Sequence, residues 1–301
     1  MDKTSDFLGT KRTAVVTGAN KGMGLEICRQ LASKGITVVL TARDENKGLE
    51  ALDNLKDSGL SNNVIVQKLD VVDSASVVDL AEFVSNRFGK LDILVNNAAI
   101  IGVAIVDQYS LITSSKQGPQ FINWHKVSAQ SFDLVKECID TNYYGAKRMV
   151  EAFLPLLQSS DSPRIVNISS LTGKLKFVGN EWAQSVLGDE DSLTEEKVND
   201  VLNEFLKDFK ANMLETRGWP TYLSAYALAK ASLNAYTRIL AKKHPRCMVN
   251  SVCPGYVKTD LNCNTGPLTA EQGAESPVWL SLLPTGGPSG FFFSRKLVSP
   301  F

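Results

Sequence analysis

Tyr226 and Lys230 stand four residues apart in the segment Ser-Ala-Tyr-Ala-Leu-Ala-Lys, so a helix over this stretch puts both on one face. A tyrosine hydroxyl ordinarily ionises near ~10, too high for ready proton exchange at neutral pH. An ammonium close by favours the phenolate, which suits Tyr226 to general acid–base work. On its own such a pair is ordinarily a surface or packing feature. The remaining residue types narrow the chemistry. His125 and His244 are far apart and lack metal-ligand spacing, which speaks against a metal site and against a His-based triad. Cys28, Cys138, Cys247, Cys253 and Cys263 form no CxxC pair and read as reduced thiols of a cytosolic protein.

A second constellation lies near the start of the chain. Thr17-Gly18-Ala19-Asn20-Lys21-Gly22-Met23-Gly24 follows a β-rich run and precedes a helical one. Glycines there permit a tight turn and let backbone N–H groups approach a pyrophosphate at the positive end of the helix. The spacing is GxxxGxG, and the competing reading is a purely structural turn. Dinucleotide sites that take NAD carry an acid about 20 residues beyond the glycines, bonded to the ribose 2′-OH. Here that place holds Ala42, followed by Arg43. A carboxylate would repel a 2′-phosphate, whereas Arg43 can grip it, with Lys21 as a second cation. The expected cofactor is therefore NADPH; the alternative is that both cations are merely solvated.

These residues need a frame. Apolar, β-rich runs at 13–17, 37–40, 64–69, 92–95, 164–168, 248–253 and 291–293 read as seven strands. Helical spacing appears at 22–33, 45–57, 74–88, 132–157 and 224–243. Such alternation predicts an α/β fold, a doubly wound seven-stranded parallel sheet with helices on both faces. The alternation lapses at 100–127 and again at 171–222. Within the second lapse a charged helix is expected over 194–212, with Val198, Val201, Leu202, Phe205 and Phe209 on one face and a capped start at 194–197. No internal repeat or linker interrupts the chain, so residues 1–301 read as a single domain with two elaborations.

Composition excludes several functions. Formal net charge is zero, with 32 basic and 32 acidic residues, so no basic surplus exists to bind nucleic acid or an anionic membrane. No apolar run approaches the ~18 residues that span a bilayer, and the polar start lacks a signal-peptide core. The expected compartment is the cytoplasm.

Taken together, the motifs resemble the classical short-chain dehydrogenase/reductase family over nearly the whole chain. The matching pieces are TGANKGMG at 17–24, LDV at 69–71, NNAA at 96–99, Asn142 in TNYYG, NISS at 167–170, YALAK at 226–230 and PGYVKTD at 254–260. Ala99 stands where the family usually has glycine. The resemblance implies a Rossmann-type fold and a catalytic set of Asn142, Ser170, Tyr226 and Lys230. Ser170, the second serine of NISS rather than Ser169, would hydrogen-bond the substrate carbonyl. Tyr226 would donate the proton as hydride arrives from the nicotinamide. Lys230 would bind the nicotinamide ribose and lower the Tyr226 pKa, and Asn142 would hold a water linking Lys230 to solvent. Cofactor contacts would come from Gly18, Asn20, Lys21, Gly22, Met23, Gly24 and Arg43. Asp70 and Val71 would meet adenine, Asn97 and Ala98 the ribose, and Val257 and Thr259, beside Pro254 and Gly255, the nicotinamide amide.

Ser170 and Tyr226 are 56 residues apart, where most family members have about a dozen, and loops are where relatives take insertions. The insertion, about residues 175–220, resembles that of monomeric carbonyl reductases and of plant reductases of the salutaridine, menthone (neomenthol) and isopiperitenone group. An added helix over a surface that usually oligomerises predicts a monomer, with the insertion as a substrate lid. Phe177, Trp182, Trp219, Ile101, Val103 and Ile105 suit an apolar terpenoid- or alkaloid-like ketone, although each could equally serve packing. The leading expectation is NADPH-dependent reduction of such a ketone or aldehyde to an alcohol. Its rivals are reduction of a conjugated C=C bond, NADP-dependent oxidation of a secondary alcohol, and a non-catalytic cofactor-binding regulator.

Overall fold

Strand-forming and helix-forming runs alternate along the chain, and the computed structural model, which describes residues 12–56, 59–118 and 121–301, shows what they build. The polar arm ahead of Arg12, and Asp57 at the expected end of the second helix, lie outside the described residues. β1 (Thr13–Val16), α1 (Gly22–Ala32), β2 (Thr37–Ala42), α2 (Glu45–Lys56), β3 (Val64–Lys68), α3 (Ser74–Phe88) and β4 (Ile93–Asn96) come first. An excursion follows, made of β5 (Ala104–Ile105), α4 (Gln108–Ser115), α5 (Trp124–Val127) and β6 (Ser128–Ala129), in which β5 and β6 pair antiparallel. Next come α6 (Phe132–Ile139), a π-helical turn (Asp140–Gly145), α7 (Ala146–Gln158) and β7 (Arg164–Ile168). α8 (Glu181–Gly188) and α9 (Glu195–Lys210) precede α10 (Ser224–Lys243), β8 (Met248–Cys253), α11 (Ala270–Ser281), β9 (Phe292–Ser294) and β10 (Leu297–Val298).

The main sheet has the order β10-β9-β8-β7-β4-β1-β2-β3. Seven strands are parallel, as the alternation predicts, and β10 adds an antiparallel edge through Leu297–Ser294 and Val298–Phe293. Two residues are too few to carry a periodic signal, so that strand is not visible in the sequence. The period of two along each strand divides the core. Val15, Val39, Leu94, Ile165 and Val249 face α3, α6, α7 and α10, whereas Val16, Val38, Val95 and Val252 face α1, α2 and α11. Each fully buried aliphatic side chain contributes about 1.5–3 kcal/mol, so the two layers hold the sheet rigidly.

β1 and β4 are neighbours although the chain winds from β1 outward in one direction and from β4 in the other. At such a reversal the crossovers part and leave a crevice at the carboxyl ends of the strands, where doubly wound folds bind ligands. Two departures bear on the site. The single helix expected over 132–157 is broken by the π turn, where Asn142 leaves the helix register to pair with Ile100. α11 was not anticipated; its signal was the Thr269/Gln272 capping box, in which each side chain bonds the other residue's backbone N–H.

Candidate active site

The turn after β1 requires glycine for two distinct reasons. Gly18 has φ of +60°, and a β-carbon there would sit 2.9 Å from the Ala98 Cα. Gly24 has ordinary backbone angles, but its β-carbon would meet the Asn97 amide and the Gly18 carbonyl at 2.6 Å. The Asn97 Nδ2 donates to the carbonyls of Thr17 at 2.9 Å and Gly18 at 3.0 Å, and Thr17 Oγ1 accepts from the N–H groups of Asn97 and Ala98. The second motif therefore clips the first into shape, and the Asn97 carboxamide is committed to that task. The Lys21 side chain at the N-cap makes no bond to α1 and the first turn carries no acid, so the positive end of the helix is left without a capping charge of its own.

The other expected cofactor contacts lie just past the carboxyl ends of β1, β2, β3 and β8. Asn20 and Met23 are half-buried, and Arg43 is exposed just past β2. Asp70 Oδ1 accepts from Val72 N–H at 3.1 Å, which folds the 69–72 turn, and Val71 is buried where Gly145 lets it approach. Pro254 is buried, Gly255 has φ of +95°, and Val257 bridges Leu268. Thr259 packs within 3.5 Å of the β-carbon position of Gly22, closing the loop after β8 onto the glycine turn. Lys21 is not free: its Nζ lies 2.6 Å from Asp260 Oδ2 in the same loop.

Ser170 follows β7, Tyr226 lies in the first turn of α10, and Lys230 lies one turn further on. Ser170 Oγ accepts from Thr172 N–H at 3.2 Å and Thr172 Oγ1 at 2.9 Å. These bonds leave its own hydrogen free, and the Ser170 side chain acts on the Tyr226 hydroxyl to favour its ionised form. Ser169 is buried and turned toward the Lys230 carbonyl, so the second serine is the one at the crevice. Gly173 was not picked out from the sequence. A β-carbon there would lie 2.8 Å from the Lys230 backbone, so only glycine lets the 171–173 turn press Ser170 against α10. Lys230 is 2% exposed, its Nζ donates to the Ile168 carbonyl at 2.7 Å, and that nitrogen lies 5.7 Å from the Tyr226 ring centre.

The electrostatics correct one expectation. Burial pulls the Lys230 ammonium down to about 8, against a smaller opposing pull from Cys138 and Cys253. The Tyr226 phenol is raised, not lowered: burial dominates, Cys253 and Cys138 add to it, and the Ser170 hydrogen bond only partly offsets them. Asn142 Oδ1 accepts from Ile100 N–H and its Nδ2 donates to Ile100 O, both at 2.8 Å. Its carboxamide thus ties the π turn to the backbone beyond β4.

Of the expected substrate wall, Ile101 and Val103 are half-buried and Phe177 is 43% exposed. Trp219 does not belong there: it is 3% exposed, donates to Asp208 Oδ2 at 2.8 Å and packs edge-on to Phe205. Ile105 packs with Leu111, Ile122 and Val127 in a small core of its own. Trp182 lines a hollow of about 610 Å³ beside Asp200 and Arg217, whose walls include none of Ser170, Tyr226 and Lys230. α9 begins as expected, with Thr194 Oγ1 accepting from Lys197 N–H and Glu195 and Glu196 in the first turn. Glu195 pairs with Lys147 of α7 and Lys243 of α10, while Val198, Val201, Leu202 and Phe205 are fully buried beneath it. Among the described residues, no helix is long and apolar enough to cross a membrane.

Comparison with known proteins bears on this arrangement. A short chain dehydrogenase family model matches residues 12–182, and an enoyl-(acyl carrier protein) reductase model matches residues 211–278. The chain is 56% identical to a (+)-neomenthol dehydrogenase of Arabidopsis thaliana, over 97% of this chain and 99% of that protein. It is 55% identical to short-chain dehydrogenase/reductase 1 of Saponaria officinalis, over the full length of both. The structure of salutaridine reductase from Papaver somniferum superposes with a TM-score of 0.87 at 49% identity, covering 94% of this chain and 99% of that one.

Proposed function

The chain belongs to the short-chain dehydrogenase family, and on that premise we propose that it catalyses NADPH-dependent reduction of an apolar ketone or aldehyde to an alcohol. The observation that carries this reading is the Ser170–Tyr226–Lys230 cluster at the crevice, together with a turn whose Gly18 and Gly24 leave no space for a β-carbon. The site fits a dinucleotide: the uncapped start of α1 suits a pyrophosphate, and Arg43, which has no acidic partner among the described residues, suits a 2′-phosphate. When bound, the nicotinamide cofactor supplies hydride to the carbonyl carbon.

The chain's own residues then manage the oxygen. Ser170 donates to it, where negative charge develops. Tyr226, kept protonated at neutral pH by its buried setting, gives its proton to the same oxygen. The phenolate left behind is stabilised by the Lys230 charge, which also serves the cofactor ribose. Asn142 positions the strand end instead of touching substrate. The neomenthol dehydrogenase and salutaridine reductase likenesses support an alicyclic or polycyclic ketone, with Ile101, Val103 and Phe177 as its apolar wall.

The insertion acts as lid and cover. Pinned by Glu195 to Lys147 and Lys243, α9 packs on α6 and α10, which supports one domain that works as a monomer. Incubating the protein with NADPH and a panel of terpenoid, alkaloid and aromatic ketones tests the reading. Alcohol products are expected; a saturated ketone formed from an enone, or no turnover across the panel, would overturn it. Light scattering at micromolar concentration checks the monomer.

A further inference from the structure

The helix that carries Tyr226 has an awkward beginning. Leu223, immediately before α10, lies in the left-handed region with φ of 46° and ψ of 29°, a conformation that a γ-branched side chain disfavours. No side chain of α10 itself caps the helix. The missing acceptor comes instead from Gln130, 94 residues earlier, between β6 and α6. Its Oε1 accepts from both the N–H of Ser224 at 3.0 Å and the Ser224 hydroxyl at 2.7 Å. Its Nε2 donates to the Thr221 carbonyl at 3.3 Å. Beside it, the His125 ring meets the edge of Tyr222 at 5.0 Å, and His125 Nε2 lies 3.4 Å from Thr221 Oγ1. Ser224 is fully buried, so water has no access to replace the carboxamide.

We propose that Gln130 is a positioning residue for proton transfer: its carboxamide holds the strained start of α10 and thereby aims the Tyr226 hydroxyl at Ser170. Tyr226 is two residues beyond Ser224, within the first turn, so any fraying there moves the phenol. Ser170 is held by Thr172 and by the packing of the 171–173 turn against Lys230, one turn further along α10, so it does not follow the first turn. The same carboxamide couples the 100–130 segment, one flank of the substrate, to the proton donor on the other flank. This inference rests on the reading that Tyr226 donates the proton.

The test compares Gln130→Ala with Gln130→Glu, whose carboxylate keeps both acceptor bonds to Ser224. Gln130→Ala is expected to lower kcat for ketone reduction about tenfold, because small misplacements of reacting groups are costly, with KM values for ketone and NADPH within about twofold. Gln130→Glu is expected to retain near wild-type kcat. Amide hydrogen exchange should accelerate in Gln130→Ala across residues 224–227 and stay unchanged in the later turns of α10. Wild-type kcat in Gln130→Ala, an equal fall in both variants, or unaltered exchange overturns the proposal. Should Gln130→Ala fail to fold, Ser224→Ala removes only the hydroxyl bond and must still lower kcat. A wild-type protein that reduces no ketone refutes the functional reading, and the exchange measurement still decides the role of Gln130.

Discussion

Lys21 Nζ lies 2.6 Å from Asp260 Oδ2, which ties the glycine turn after β1 to the loop after β8. Both side chains are more than half exposed, at 65% and 61%, so the pair contributes at most about 1 kcal/mol to stability. Its consequence is for the proposed NADPH binding, because a 2′-phosphate would have to compete with Asp260 for Lys21, whereas Arg43 has no such competitor among the described residues. Arg43→Ala is therefore expected to raise the KM for NADPH by roughly 10- to 100-fold, the worth of a charge-assisted contact, and to leave that for NADH unchanged. Asp260→Asn should lower the KM for NADPH a few-fold at low salt. Steady-state kinetics with both cofactors checks the two variants.

Tyr226→Phe removes the proposed proton donor while keeping the ring whose centre lies 5.7 Å from Lys230 Nζ. A loss of roughly 10²- to 10⁴-fold in turnover is expected, the usual contribution of general acid catalysis. NADPH binding, followed by fluorescence quenching, should stay at the wild-type level. Turnover that survives the substitution would show the proton comes from elsewhere.

Lys230 makes the site sensitive to pH near neutrality, since burial brings its ammonium down to about 8. Below that value the charge that would hold the ribose is present, and above it the charge is lost. NADPH affinity should accordingly fall as pH rises through 8. Stability runs the opposite way. The unfolded lysine keeps its proton up to ~10.4, so between the two values the unfolded chain binds more protons and the fold gains stability as pH rises. Binding and thermal unfolding, measured from about pH 6.5 to about pH 9.5, should show both trends, and Lys230→Met should flatten both.

Gly173→Ala tests how Ser170 is aimed. The added methyl would lie 2.8 Å from the Lys230 backbone, so the 171–173 turn must lift away from α10. Overpacking of this kind costs about 1–3 kcal/mol. The expected result is a lower melting temperature together with a fall in kcat that exceeds any change in the KM for NADPH. Unaltered kcat would mean that Ser170 does not need this contact.

Much of the site could be read from the chain because its parts are local. Glycines at 18, 22 and 24, the Tyr226–Lys230 pair and Arg43 each sit within one strand–turn–helix unit, where spacing alone dictates geometry. What escaped the reading is non-local. Gly173 matters only because α10 passes against it, and Gln130 only because its carboxamide meets Ser224. Asn142 carries no mark in the sequence of its pairing with Ile100. Trp219 looked like substrate wall because an indole suits either role; Asp208, eleven residues away, claimed its N–H.

The chain alone thus determined the seven parallel strands, the glycine turn after β1 and the residue types of the proposed reacting cluster. Hydrophobic period and glycine placement act over a few residues and need no partner to be recognised. Tertiary structure decided the rest: that Lys21 is engaged by Asp260, that burial raises Tyr226 and lowers Lys230, and that Gln130 starts the helix bearing both. Those outcomes depend on which distant groups share a space and on how much water is excluded from it, and desolvation there outweighs the attraction between Tyr226 and Lys230 that their four-residue spacing suggests.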